Sequence, residues 1–233
     1  MALAEGVSFA LARVHELCGG ARRTLALQLA ARVLGHRPAP VIWILPEHVS
    51  TRLTATGVQP IVAAGQLLFV RPVRAQDVLW AMEEALKDGA APVVVAEMDS
   101  PPGMTPVRRL HLAAEAGARV EGAAPLGLIL TPDRGGAPGI ETRWSCDPAH
   151  MSEATGWRLE RLRARMLPPK VWLWTGHALR DWPFGAGPLP VQAGHSPALR
   201  NVTAQPGAPY RYLPRRLPAT KQDGTPVDAR QSC

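Results

Sequence analysis

The sequence predicts an α/β domain: a parallel β-sheet covered by helices, followed by a small antiparallel extension and a proline-rich C-terminal tail. Two observations carry this. Short runs in which nearly every position is apolar, such as Val41 to Leu45 and Val93 to Ala96, are the mark of strands buried on both faces. Between them lie segments whose apolar residues recur at helical spacing, so that strand and helix alternate along the chain.

The elements follow in order. Arg13 to Leu17 is a candidate strand, and Arg22 to Leu34 a helix with Leu25, Leu29 and Val33 on one face and Gly35 at its C-terminal cap. Val41 to Leu45 is the next strand. A short helix from Ser50, a suitable N-cap, to Gly57 is expected. Leu67 to Val70 reads as a strand and Gln76 to Asp88 as a strong helix, with a stripe of Leu79, Met82 and Leu86, a favourable Glu83–Lys87 pair, and Gly89 as its stop. Val93 to Ala96 is again a strand. Thr105-Pro106 supplies a cap and a first-turn proline for a helix through Ala116, stopped by Gly117, and Leu126 to Leu130 closes the series. After the turn-rich stretch Asp133 to Gly139, the segments Thr142–Cys146, Trp157–Met166 and Val171–Trp174 read as the antiparallel extension. The middle one also fits a helix through Leu159, Leu162 and Met166, and strand is the preferred reading. Beyond Gly176 recurrent prolines remove backbone donors and leave no hydrophobic period, so residues 176–233 are read as a flexible or partner-ordered tail after a domain of residues 1–175.

Composition narrows the function classes. The chain of 233 residues carries a formal net charge of +7 and 46% hydrophobic residues. Such a charge permits attraction to nucleic acid or to an acidic partner without establishing either. The excess is concentrated late: Arg180, Arg200, Arg211, Arg215, Arg216, Lys221 and Arg230 face only Asp181, Asp223 and Asp228 after Gly176. Cys18, Cys146 and Cys233 show no paired spacing, which argues for reduced thiols and against a disulfide scaffold or zinc site. No basic segment followed by a long apolar run opens the chain, and no stretch is apolar enough to span a membrane, so a soluble cytoplasmic protein is expected.

A strand, a glycine turn and a helix together form an anion-binding arrangement, because unpaired N–H groups and the helix dipole converge on one point. Here the turn reads Cys18-Gly19-Gly20-Ala21-Arg22-Arg23-Thr24. A working GxxxxGK[ST] loop separates its glycines so that backbone N–H groups wrap a phosphate, and ends in a lysine and a magnesium-binding hydroxyl. Gly19 and Gly20 are adjacent, so the wrapping residues are missing.

The segments RVHELCG, TLALQLAARVL, the PEH after the second strand, WAMEEALKDGA and VVVAE resemble the ATP-binding core of RecA recombinases. With the closing RW…GWRLERLRAR they resemble more closely the ImuA family, the RecA-like mutasome proteins of bacterial damage-induced (SOS) mutagenesis, over about residues 8 to 175. The resemblance places Gly19 at the start of the phosphate loop and Arg23-Thr24 near its Lys-Ser/Thr. It places Gln76 where the water-activating glutamate stands, and Glu97 where the recombinase pattern has an aspartate. An amide cannot accept a proton as a carboxylate does, so this pattern implies an ATPase site no longer fit for phosphoryl transfer, with no catalytic residue, metal or cofactor. It further implies a scaffold in error-prone translesion synthesis beside an ImuB-like inactive polymerase subunit and an error-prone replicative polymerase. Alternative readings are a nucleotide- and DNA-binding ATPase with rearranged contacts through Arg22, Arg23 and Glu97, or a damage-induced cell-division inhibitor, since some RecA-like relatives carry SulA-type descriptions.

Each candidate also has a plainer reading. Arg22 and Arg23 are read as solvated charges in a shortened turn rather than phosphate ligands, and Glu97 as residual fold geometry. His15-Glu16 and Glu47-His48 lack metal-site spacing and are read as structural or surface residues. Cys18, placed before a helix N-terminus, is read as a small core residue rather than a nucleophile. The segment holding Trp144, Trp157 and Arg158 is either a binding surface or a cap on the sheet, and both stay open. Arg211, Tyr212, Arg215 and Arg216 suit nucleic-acid contact, although a solvated tail is the preferred reading.

Overall fold

The computed structural model describes residues 1–120, 124–150 and 155–183, all of which fall within a compact unit, Met1–Leu189. Eleven strands are present among them. A short hairpin of β1 (Ala2–Ala4) and β2 (Val7–Ser8) opens the chain. Then come β3 (Arg13–Cys18), α1 (Arg22–Leu34), β4 (Val41–Ile44), α2 (Ala55–Val58), β5 (Leu67–Val70), α3 (Ala75–Asp88), β6 (Val93–Glu97), α4 (Met104–Gly117) and β7 (Leu126–Leu130). Strands β8 (Thr142–Pro148), β9 (Trp157–Ala164), β10 (Lys170–Trp174) and β11 (Leu179–Asp181) follow.

Nine strands form one sheet in the order β11-β10-β9-β8-β3-β7-β6-β4-β5. The six from β8 to β5 are mutually parallel, and β9 to β11 continue the sheet in antiparallel fashion. The central strands β6 and β7 are buried at every position, as their unbroken apolar runs require. The sheet separates two cores. On one face Leu25 and Leu29 of α1 pack with Leu17, Trp43, Leu128 and Trp144. On the other Val78, Met82 and Leu86 of α3 and Val107, Leu110 and Ala114 of α4 pack with Val14, Val94 and Ile129.

Several local expectations change. The helix expected from Ser50 begins only at Ala55, because Thr54 provides the cap, its side chain accepting from the Gly57 N–H. Met82 and Leu86 are buried on α3 as expected, but Val78 rather than Leu79 completes the stripe, and Glu83 pairs with Arg109 of α4 at 2.7 Å. Helix α4 starts one residue before Thr105, with Gly103 as its N-cap, and Pro106 stays in the first turn where its missing N–H is harmless. Gly117 lies inside α4 rather than beyond it. A Cβ there would sit 2.0 Å from the Leu86 carbonyl oxygen, so this glycine allows α3 and α4 to approach.

The region Trp157–Met166 is a strand through Ala164, with its register shift lying opposite, at Arg143/Trp144 of β8. Strand β8 itself is parallel to β3 and belongs to the main sheet, not to a separate antiparallel piece. The chain remains in the sheet past Gly176, since β11 pairs with β10. No helix among the described residues is long and apolar enough to cross a membrane.

Candidate functional site

The turn between β3 and α1 sits at the C-terminal ends of the parallel strands, where α/β sheets place their ligands. Its backbone donors are all engaged. The Gly19 N–H donates to the Asp133 carbonyl at 3.3 Å, Gly20 N–H to Asp147 Oδ1 at 2.7 Å, Ala21 N–H to the Cys146 carbonyl at 2.8 Å, and Arg22 N–H to the Gly19 carbonyl at 3.4 Å. Asp147 is steadied in turn by the Ser145 hydroxyl, which donates to its second oxygen at 2.9 Å. A carboxylate of the chain thus holds the turn at Gly20, just ahead of the N-cap Ala21.

Gly19 has φ +85°, and a Cβ there would lie 2.5 Å from the Cys146 carbonyl oxygen. The loop glycine therefore serves the close approach of β8. With β8 parallel to β3, Cys18 is in register with Ser145, which brings Cys146 and Asp147 alongside the turn.

The acidic position on β6 is equally occupied. Glu97 is 6% exposed and takes a forked ion pair from Arg23: Nε lies 2.9 and 3.0 Å from its two oxygens and Nη2 lies 2.7 Å from Oε2. The Trp43 indole N–H on β4 donates to Oε1 at 2.8 Å. Arg23 also donates to the Thr51 carbonyl at 3.1 Å. The residue standing near the expected lysine is thus locked to the residue standing near the expected aspartate, with both oxygens of Glu97 consumed. A cavity of about 290 Å³ remains above them, lined by Gly20, Arg22, Arg23, Thr51, Glu97 and Asp99. Arg22 donates to the Gly19 carbonyl at 3.1 Å, and its buried Nε has no hydrogen-bond partner among the described residues. Asp99 pairs with His48 at 3.0 Å.

The structure therefore joins Gly19, Gly20, Arg22, Arg23 and Glu97 in one place. Thr24 lies in the first turn of α1 and does not line the cavity. Gln76 is exposed on α3 and lines neither the cavity nor the pocket beside it that also reaches Glu97. Among the described residues no cluster of three or more metal-ligating side chains exists.

Cys18 is buried, its thiol donating to the Trp144 carbonyl at 3.3 Å. Burial, reinforced by the Glu16 carboxylate, pushes it up to about 11, the opposite of an activated thiolate. His15 and Glu16 are fully buried. The Trp144 indole donates to the Thr142 hydroxyl at 2.7 Å, which is 2.7 Å from His15 Nδ1, and His15 Nε2 is 2.9 Å from the Ala10 carbonyl. Burial lowers the His15 pKa to about 4, and in the neutral ring Nε2 donates to Ala10 while Nδ1 accepts from the Thr142 hydroxyl. Glu16 accepts from Thr131, Gly136, Ala137 and Arg143, fastening the loop after β7.

Trp144 is 1% exposed and stacks within 5.9 Å of Trp172 in the core, so it caps the sheet and is not an open contact surface. Trp157 packs on Trp174 at 5.0 Å, and Arg158 is held by Glu160 at 2.6 Å beneath the Trp182 ring. Arg211, Tyr212, Arg215 and Arg216 lie outside the described residues.

Sequence reasoning missed Asp147 and Trp43. The signal for Trp43 was present, since a tryptophan in a fully buried strand needs an acceptor for its N–H. Asp147 had no such signal, because its role exists only once β8 lies beside the turn.

No protein-family model matches the chain, and no curated protein matches it. Among solved structures the chain is similar to SulA from Pseudomonas aeruginosa, at 18% identity and a TM-score of 0.41, over 52% of this chain and 98% of that one.

Proposed function

We propose that this chain is a non-catalytic scaffold on a RecA-like frame that serves error-prone translesion DNA synthesis by docking an ImuB-like polymerase subunit. The observation that carries the non-catalytic half is the internal occupation of the phosphate-loop position. Four successive N–H groups from Gly19 to Arg22 are spent on protein oxygens, and Glu97 is spent on Arg23 and Trp43. A nucleoside triphosphate would have to displace Asp147 to reach the Gly20 N–H and break a forked ion pair to reach the Arg23 guanidinium. The translesion half rests on the resemblance to the ImuA family across about residues 8 to 175.

Affinity purification of the tagged chain from DNA-damaged cells tests the partner. An ImuB-like protein enriched above the untagged control is expected, and its absence counts against the proposal. Raised mutation frequency on overexpression supports this role, whereas filamentation without damage points to division control.

One observation favours a second reading, nucleotide binding through rearranged contacts: the cavity beside Arg22 and Arg23 persists, and Arg22 Nε has no hydrogen-bond partner among the described residues. In that case nucleotide binding would depend on Arg22 and would weaken on Arg22→Ala.

A further inference from the structure

The scaffold reading leaves open which surface receives a partner, and one groove along α4, on the face of the sheet opposite α1, has the chemistry for it. Met104, Arg108 and Leu112 are spaced four residues apart, so they form one stripe along α4. All three are exposed, Met104 by 41% and Leu112 by 64%. Opposite them stands Arg165, just past the end of β9, and together these side chains wall a groove of about 480 Å³. That volume suits the anchor side chains of a peptide, within the ~300–1,000 Å³ typical of binding pockets.

The charges in the groove are unequal in availability. Glu115 and Glu141 both lie in it, but Arg13 is committed to them, contacting Glu115 closely and Glu141 at 3.8 Å. His111 forms part of the floor with both ring nitrogens engaged: the Val14 N–H lies 3.3 Å from Nδ1, and Nε2 lies 3.2 Å from the Gly139 carbonyl. That pairing requires the neutral ring, and burial lowers its pKa accordingly. Arg108 and Arg165 have no salt bridge among the described residues. The groove thus offers two uncommitted cations beside two exposed thioether and aliphatic side chains, and the next residues after Arg165, Met166 and Leu167, are 90% and 54% exposed.

We infer that this groove between α4 and the end of β9 docks an acidic peptide segment of a protein partner, with apolar side chains seated against Met104 and Leu112 and carboxylates paired with Arg108 and Arg165. The complement of two free cations is a pair of carboxylates. The apolar stripe distinguishes this from a nucleic-acid track, which combines phosphate contacts with aromatic stacking platforms; no aromatic base-stacking side chain other than the engaged His111 lines the groove. The inference rests on the scaffold reading, and it names a surface that reading does not.

The test is a selection on the purified full chain from a phage-displayed library of random peptides roughly a dozen residues long, the size of a linear recognition segment. Enriched peptides are then titrated against the wild type, Leu112→Asp and the Arg108→Glu/Arg165→Glu double variant. These are exposed positions, and circular dichroism checks that each variant is folded. The expected result is peptides combining acidic residues with leucine-like anchors, binding more weakly as salt rises and at least about tenfold more weakly to both variants. Absence of enrichment, or peptides that bind both variants as well as wild type, overturns the inference. So does a labelled oligothymidylate whose binding is lost in the double variant, which would make the groove a nucleic-acid surface. A dimer in sedimentation that Leu112→Asp dissociates would make it a contact between copies. Because the selection uses the isolated chain, it can fail while an ImuB-like protein still co-purifies, and it can succeed when none does.

Discussion

Glu97 is a buried acid held by two neighbouring donors. Its carboxylate is buried, so it is tolerable only while Arg23 and Trp43 satisfy it. Glu97→Ala leaves the Arg23 guanidinium, with its side chain 21% exposed, and an indole N–H without their acceptor. A loss of about 3 kcal/mol in urea unfolding is expected, with Glu97→Gln losing less because the Trp43 bond survives. His15 makes a second prediction. Its folded pKa is depressed to about 4 from 6.5, so the unfolded chain takes up the proton first as pH falls. The contribution of the neutral ring is whole above pH 6.5 and is lost between 6.5 and about 4, amounting to about 3 kcal/mol. Denaturant midpoints across that window should fall, and should fall less steeply in His15→Asn. Cys18, buried and raised to about 11, should resist thiol reagents at pH 8 until the protein is unfolded.

At the scale of elements, the junction of β3, α1 and β8 decides what the turn can do. Asp147 reaches from β8 to the Gly20 N–H and so ties down the turn just before α1, which has no side-chain cap at Ala21. Asp147→Ala should therefore cost about 1 kcal/mol in unfolding experiments, the worth of the lost hydrogen bond. Gly117 binds α3 to α4 by the absence of a side chain, and Gly117→Ala should destabilise by about 2 kcal/mol, because a Cβ would press on the Leu86 backbone. These two residues also mark where the sequence ceases to be legible. The strands around Val41–Ile44 and residues 93–96 could be read directly, since every one of those positions is apolar. Gly117 reads equally as a helix stop or as a packing contact, and only the neighbouring helix decides. The hairpin β1–β2 has strands too short for any periodicity to register. Ser50 and Thr54 are both competent caps, and the choice belongs to packing around Val58.

The whole molecule combines a sheet of ordinary α/β construction with a ligand-end turn whose donors face inward. The tightness of the turn was plain from the adjacent Gly19-Gly20 ahead of α1. What fills it was not, because the filler comes from residues 145–147, more than a hundred positions away in the chain and adjacent only through the parallel β3–β8 pairing. The tryptophan-rich segment was open to two readings for the same reason: a strand of this composition either packs or binds, and the sheet places Trp144, Trp172 and Trp174 in the core. What the frame leaves outward includes the α4 stripe of Met104 and Leu112 and the exposed Met166 and Leu167.

Because the β3–α1 turn and Glu97 are engaged by the chain's own groups, no nucleotide site is expected there. Calorimetric titration with ATP and magnesium, with and without single-stranded DNA, tests it most directly. No saturable heat is expected at high micromolar nucleotide in either condition. Saturable binding by the wild type, abolished by Arg23→Ala or Glu97→Ala variants that remain folded, would contradict it and return turnover to the question.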